Sequence, residues 1–195
     1  ALAADKASET YDVDVIFTCP VVDIRRVAEA TKRLHIFAPH MDPIYPGRGL
    51  ADTLPESLVA AGAEGVMLNH VEKPLAFDVL AETIKRAEEV GLTTIVCADS
   101  MADATKIASL HPDIIVAEPS ELIGTGVSVG PEYVEAAMQS VKKVNENILV
   151  LTAAGIAGGQ DVYNTIIAGA DATGSSSGVA KAADRAAMVD EMIAA

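Results

Sequence analysis

The feature that most constrains the fold of this 195-residue chain is an unbroken alternation of short apolar runs with helical patterns. Residues 13–19, 34–40, 65–69, 92–98, 113–118 and 148–153 carry Val, Ile and Leu and read as strands, and 170–175, which has none of the three, reads as a weak one. Between and around them, 1–11, 23–31, 53–62, 74–90, 100–110, 131–144, 159–168 and 183–193 read as helices. Pro55 near a first turn, Gly62 and Gly91 as terminators, and Ser100 or Asp99 as an N-cap punctuate them. Strands apolar along their whole length suit a parallel sheet covered on both faces. Strict alternation then admits an open doubly wound sheet or a closed (β/α)8 barrel. An open sheet would carry its glycine-rich phosphate turn after the first strand. Here such turns follow the late strands, where barrels frequently build their phosphate sites. The expectation is therefore a (β/α)8 barrel in one domain, residues 1–195, with seven of its eight strands visible and the remaining one preceding Ala1.

Charge and composition narrow the partners. Fourteen basic against 28 acidic residues give a formal charge of −14, which disfavours nucleic acid and anionic membrane because both would be repelled. A phosphorylated metabolite stays compatible, since backbone N–H groups alone can hold a phosphate. No apolar stretch reaches the ~18 residues of a membrane span. The cysteines Cys19 and Cys97 and the histidines 35, 40, 70 and 111 form neither a disulfide framework nor a metal-ligand spacing. No metal is expected, and a cytoplasmic location is.

Two strand ends carry chemistry. The run 113–118 ends in Glu118, followed by Pro119 and a loop closed by Gly124, Thr125 and Gly126. The run 65–69 ends in Leu68-Asn69 and is followed by His70. Each has a plain reading as a polar residue facing water at a strand end. In a barrel, however, strand ends face the catalytic mouth. There Glu118 is a candidate general base and His70 a candidate donor to a carbonyl oxygen. Such a pair moves a proton between adjacent carbons of a hydroxy-carbonyl compound through an enediol. Residues 124–126 read either as a tight turn or as a hinged lid over the substrate. The turns 153–159 and 174–178, rich in Gly and Ser, read as anion cradles or as tight connections.

These residues carry a resemblance. Ala117-Glu118-Pro119-Ser120-Glu121-Leu122-Ile123-Gly124-Thr125-Gly126, Leu68-Asn69-His70-Val71-Glu72, Ala154-Gly155-Ile156 followed by Gly158, and the stretch 36–44 are similar to the archaeal type of triosephosphate isomerase. They fall in family order over essentially the whole chain. The resemblance implies a TIM barrel and a cofactor-independent aldose–ketose isomerase of glycolysis and gluconeogenesis. It would interconvert dihydroxyacetone phosphate and glyceraldehyde 3-phosphate, with Glu118 as base and His70 as electrophile. Ile123, Gly155, Ser176 and Ser177 would contact the small phosphorylated sugar, mostly through backbone N–H groups, and the protein would be a homodimer or homotetramer. The family's first strand bears an Asn and a Lys that would precede Ala1. Val71 stands where the family usually has Ser, Ala153 where it has Gly, and Ser120 where it has Pro. These departures keep two alternatives: an isomerase or epimerase of another small sugar phosphate, and a catalytically silent sugar-phosphate-binding paralogue.

Overall fold

Parallel strands flanked by helices build both of the units into which the chain divides, Ala1–Val96 and Cys97–Ala195. The computed structural model describes residues 1–122, 125 and 128–195. In the first unit α1 (Leu2–Tyr11) leads into β1 (Val15–Thr18). A 3-10 turn (Val21–Asp23), α2 (Ile24–Ala30), β2 (Leu34–Ala38), α3 (Pro55–Ala61), β3 (Gly65–Leu68), α4 (Phe77–Val90) and the start of β4 (Thr93–Ala98) follow. The strands lie side by side in chain order, with Val15 opposite Leu34, Phe37 opposite Gly65 and Gly65 opposite Thr93. Ile36, Phe37, Val66, Leu68, Ile95 and Val96 from the strands are buried with Ile24, Leu58 and Leu80 from the helices. That is the two-sided burial which the apolar runs predicted. The longest helix begins at Phe77, three residues after the expected Pro74, because the chain first turns with Asn69 Oδ1 accepting from the Leu75 N–H at 2.9 Å.

His35 lies in β2 but outside the core. Its side chain is 43% exposed and lies across the start of the sheet, Nδ1 at 2.8 Å from Glu64 and Nε2 at 3.7 Å from Asp14. The hydrogen bond to Glu64 holds the imidazole above its ordinary pKa, against the opposing effect of burial. His40 stands past the end of β2, with Nε2 3.1 Å from Asp42, whose other oxygen accepts from the Thr53 N–H at 2.7 Å.

A buried guanidinium organises the outer layer of this unit. Arg86 on α4, with a side chain only 5% exposed, pairs with Glu56 of α3 and lies 3.6 Å from Glu89. Its Nε donates to the Ile44 carbonyl at 3.0 Å, and the group sits 4.2 Å from the centre of the Tyr45 ring. Tyr45 in turn donates to Glu89 at 2.9 Å. The sheet itself contains one close approach. A Cβ on Gly65 would lie 2.2 Å from the Phe37 ring and 2.6 Å from the Thr93 carbonyl oxygen. Phe37 is packed and the Thr93 oxygen is backbone, so neither yields cheaply. Gly65→Ala is expected to cost about 2–3 kcal/mol, in the upper range of overpacking changes, read as a lowered denaturant midpoint at constant m.

The second unit takes in the end of β4, α5 (Met101–Ala108), β5 (Ile114–Ala117), a 3-10 turn (Ser120–Leu122) and α6 (Pro131–Lys142). It continues through β6 (Leu149–Thr152), α7 (Gly159–Ile167), β7 (Ala172–Thr173), α8 (Ser177–Ala180) and α9 (Arg185–Ala194). β5, β6 and β7 are parallel neighbours, Ile114 facing Leu149 and Thr152 facing Thr173. Ser100 caps α5 by accepting from the Asp103 N–H at 3.1 Å. The weak last strand shrinks to two residues, and a short helix not expected from the pattern, α8, precedes the last one. Asp184 separates them by capping α9 through the N–H groups of Ala186 and Ala187, both at 3.0 Å.

Candidate active site

Glu118 stands one residue beyond β5, whose four residues are all buried. Its own N–H donates to the Ala98 carbonyl at 3.1 Å, so the end of β4 fixes the backbone from which the carboxylate springs. Asp99, the next residue along from β4, accepts from the Ser120 N–H at 2.7 Å. Two successive residues of one strand end thus hold two residues of the next. The side chain of Glu118 is half-buried. Its charge reaches Cys97, whose thiol is pushed up to about 12, first by burial and then by this carboxylate. Tyr133 in the first turn of α6 is likewise pushed up to about 12, by burial and then by Glu121, Asp99 and Glu118. Its hydroxyl is buried and has no hydrogen-bond partner among the described residues. Glu118, Asp99 and Glu121 are thus the carboxylates whose charge reaches the Tyr133 hydroxyl.

His70 belongs to the first unit. It follows Asn69, a non-glycine residue at φ 58°, a left-handed conformation that costs energy and gathers at functional sites. The imidazole is 28% exposed. The Glu72 N–H points at Nδ1 from 3.3 Å, and a Glu72 carboxylate oxygen lies 3.9 Å from the same nitrogen.

The two late turns meet. Ser175 Oγ donates to the Ile156 carbonyl at 2.7 Å, and a Cβ on Gly178 would fall 2.7 Å from that same carbonyl oxygen. Gly155, at φ 76°, makes a backbone bend that an L side chain rarely adopts. So residues 153–159 and 174–178, separate in sequence, touch where Ser175 and Gly178 meet Ile156 and Ala157. Ser175 of the second turn and two residues outside both turns shape this junction. Asp161 reaches back to accept from the Ala157 N–H at 2.9 Å and takes the Ser128 hydroxyl at 3.2 Å, Ser175 joins the turns, and Glu191 of α9 accepts from the Gly159 N–H at 2.8 Å. Asp161, an acid in the first turn of a helix, carried a legible signal. Glu191 carried none. Thr125 donates its hydroxyl to the Leu122 carbonyl at 2.8 Å. Ile123, Gly124 and Gly126, the remaining lid and contact positions, lie outside the described residues. No group of three or more metal-ligating side chains occurs among the described residues, and no helix there is long and apolar enough to cross a membrane.

Comparison with known proteins decides the family. The model of the family described as triosephosphate isomerase matches residues 1–192. The chain belongs to the triosephosphate isomerase family. The triosephosphate isomerase of Saccharolobus solfataricus is 37% identical over 192 residues, covering 97% of this chain and 84% of that protein. That of Sulfolobus acidocaldarius is 35% identical over 192 residues, 97% of this chain and 83% of the relative. That of Methanocaldococcus jannaschii is 35% identical over 196 residues, 99% of this chain and 89% of the relative. The archaeal resemblance read from the motifs is thereby established. Membership in the triosephosphate isomerase family also gives the fold class, the (β/α)8 barrel, seven of whose strands this chain supplies. With the family comes its enzyme class, the aldose–ketose isomerases.

Proposed function

We propose that the protein interconverts dihydroxyacetone phosphate and glyceraldehyde 3-phosphate, with Glu118 as the base and His70 as the electrophile. What carries the reading is Glu118, a half-buried carboxylate at the C-terminal tip of a buried strand in a chain of the triosephosphate isomerase family. Glu118 takes a proton from the carbon next to the carbonyl while the Nε2–H of His70 donates toward the carbonyl oxygen. The enediol so formed receives the proton back on the neighbouring carbon. Glu–His pairing of this kind is the known mechanism of the family and is carried over residue by residue. The phosphate takes its hydrogen bonds from backbone N–H groups at Ile123, Gly155, Ser176 and Ser177, with Gly124, Thr125 and Gly126 closing over it. Donors of that sort suit a dianion in a chain of charge −14, because they add attraction exactly where it is needed without a surface of lysines. Residues 1–195 act as one barrel domain, in a cytoplasmic homodimer or homotetramer.

The test is a coupled assay of triose-phosphate interconversion, run beside a thermal-shift panel of three-, four- and five-carbon sugar phosphates. The expected result is turnover in both directions and the largest shift with a triose phosphate. A larger shift with a tetrose or pentose phosphate would overturn the substrate. Binding with no solvent deuterium entering dihydroxyacetone phosphate would overturn the catalysis.

A further inference from the structure

The turn 153–159 does not hold its shape by itself. α7 begins at Gly159, and its N-cap residue, Gly158, has no side chain with which to satisfy the first helical N–H groups. That work is done from elsewhere. Glu191, one helical turn before the end of α9, reaches to the Gly159 N–H at 2.8 Å. The approach is close along its whole length. A Cβ on Gly159 would lie 2.9 Å from the Glu191 carbonyl oxygen and 3.0 Å from its Cγ, and one on Gly158 would lie 3.3 Å from Oε1. Next to Glu191, Met192 is buried, so α9 is seated in the unit and presents the carboxylate from a fixed base. Asp161 pins the other side of the turn through Ala157. Ser175 holds the Ile156 carbonyl, next in the chain to the bend at Gly155.

We propose that Glu191 is a positioning residue for substrate binding, a clamp from the last helix that holds the 153–159 turn in the shape its phosphate-facing N–H groups require. The proposal rests on the reading of that turn as a phosphate cradle. Glu191 itself spends one oxygen on Gly159 and touches no reacting atom. A backbone donor loses its value once it is displaced by about half an ångström or tilted by ten to twenty degrees. Hydrogen bonds to the non-reacting phosphate act alike on bound substrate and transition state, so their loss raises KM more than it lowers kcat.

Three variants test it in the full chain: Glu191→Ala, which removes the acceptor; Glu191→Gln, which keeps an oxygen acceptor and removes the charge; and Gly159→Ala, which pushes the two helices apart. The expected result for Glu191→Ala and Gly159→Ala is a rise of about tenfold in KM for glyceraldehyde 3-phosphate, with kcat within about twofold. Glu191→Gln is expected within about threefold of the unaltered protein in KM. The inhibition constant of inorganic phosphate should rise with KM in the same variants. A KM for Glu191→Ala within twofold of the unaltered protein overturns the proposal. So does a kcat that falls as far as KM rises, which would mark general structural damage, and so does a Glu191→Gln as impaired as Glu191→Ala. If the unaltered protein turns over no triose phosphate, the isomerase reading fails separately. The clamp is then read from calorimetric titration with inorganic phosphate, where an unchanged dissociation constant in Glu191→Ala overturns it.

Discussion

Glu118→Gln is expected to leave folding and substrate affinity nearly intact and to lower kcat by about 10³–10⁴-fold, the upper range for loss of a positioned base. Gln matches Glu in shape and cannot take a proton. The Glu118 N–H bond to Ala98 is a backbone bond and survives the change. KM should therefore stay within about threefold, since the lost interaction belongs to the transition state. Glu118→Asp is the informative partner. It keeps the charge and withdraws it by about one ångström, a displacement that costs on the order of 10²-fold in a site of this kind. A second, independent readout sits beneath the carboxylate. The Cys97 thiol is pushed up to about 12 mainly by burial, with Glu118 adding to it, so its titration should move down in Glu118→Gln while staying above the ordinary thiol value. Activity within tenfold of the unaltered protein would remove Glu118 from the role of base. An unmoved Cys97 would show that the carboxylate does not face it.

Arg86→Met is expected to destabilise the first unit by about 3 kcal/mol, with a fall in the denaturant midpoint and no change in m. The reason is what the arginine leaves behind. Glu56 Oε2 is buried with no hydrogen-bond partner among the described residues, while the side chain as a whole is 40% exposed and, against the opposing effect of burial, its carboxyl is held low by its own backbone N–H and then by the guanidinium. Ile44 loses the donor to its carbonyl, and Tyr45 loses the cation stacked on its ring. Removing the buried arginine therefore leaves acceptors whose desolvation is no longer offset. The double variant Arg86→Met with Glu56→Gln should recover about half of the loss. Arg86→Lys should recover little, since one ammonium cannot reach the Ile44 carbonyl and Glu56 while lying flat on Tyr45. A single variant within ~1 kcal/mol of the unaltered protein would show that the cluster is solvated and decorative.

The sequence was most legible where periodicity and punctuation coincide. All seven strands fall inside the runs 13–19 through 170–175, and Ser100, Gly62 and Gly91 end or begin helices where their chemistry suits them. The edges were less legible. α4 starts late because Asn69 first closes a turn, a bond between residues six apart that no period reveals. α8 appeared because a Ser-Gly-rich stretch, read as a loop, bends into one helical turn after the cradle. Glu118 and His70 drew attention as residues that follow apolar runs, and they stand just past β5 and β3. Arg86 was hidden because the helical pattern registers apolar residues, and its partners Ile44, Tyr45 and Glu56 lie 42, 41 and 30 residues away. His35 stands in β2 yet has its ring between Asp14 and Glu64, partners that no strand pattern shows. Glu191 was invisible because a helix-terminal acid has many uses, and only the folded chain shows which N–H it meets.

The junction of the two late turns has a consequence for inheritance. A lysine that grips phosphate can be deleted by one substitution, and its loss is seen at once in an alanine scan. An amide cannot be deleted, because every replacement residue except proline brings its own N–H. The phosphate cradle proposed above, being built from main chain, would thus be insensitive to the identity of Ser176 and Ser177 and sensitive to whatever bends the chain on either side of them and at Gly155. The vulnerable positions are the ones that set curvature, Gly155 with its left-handed bend and Gly178 against the Ile156 carbonyl. Substitutions that disable such a site would cluster beside the ligand and not upon it.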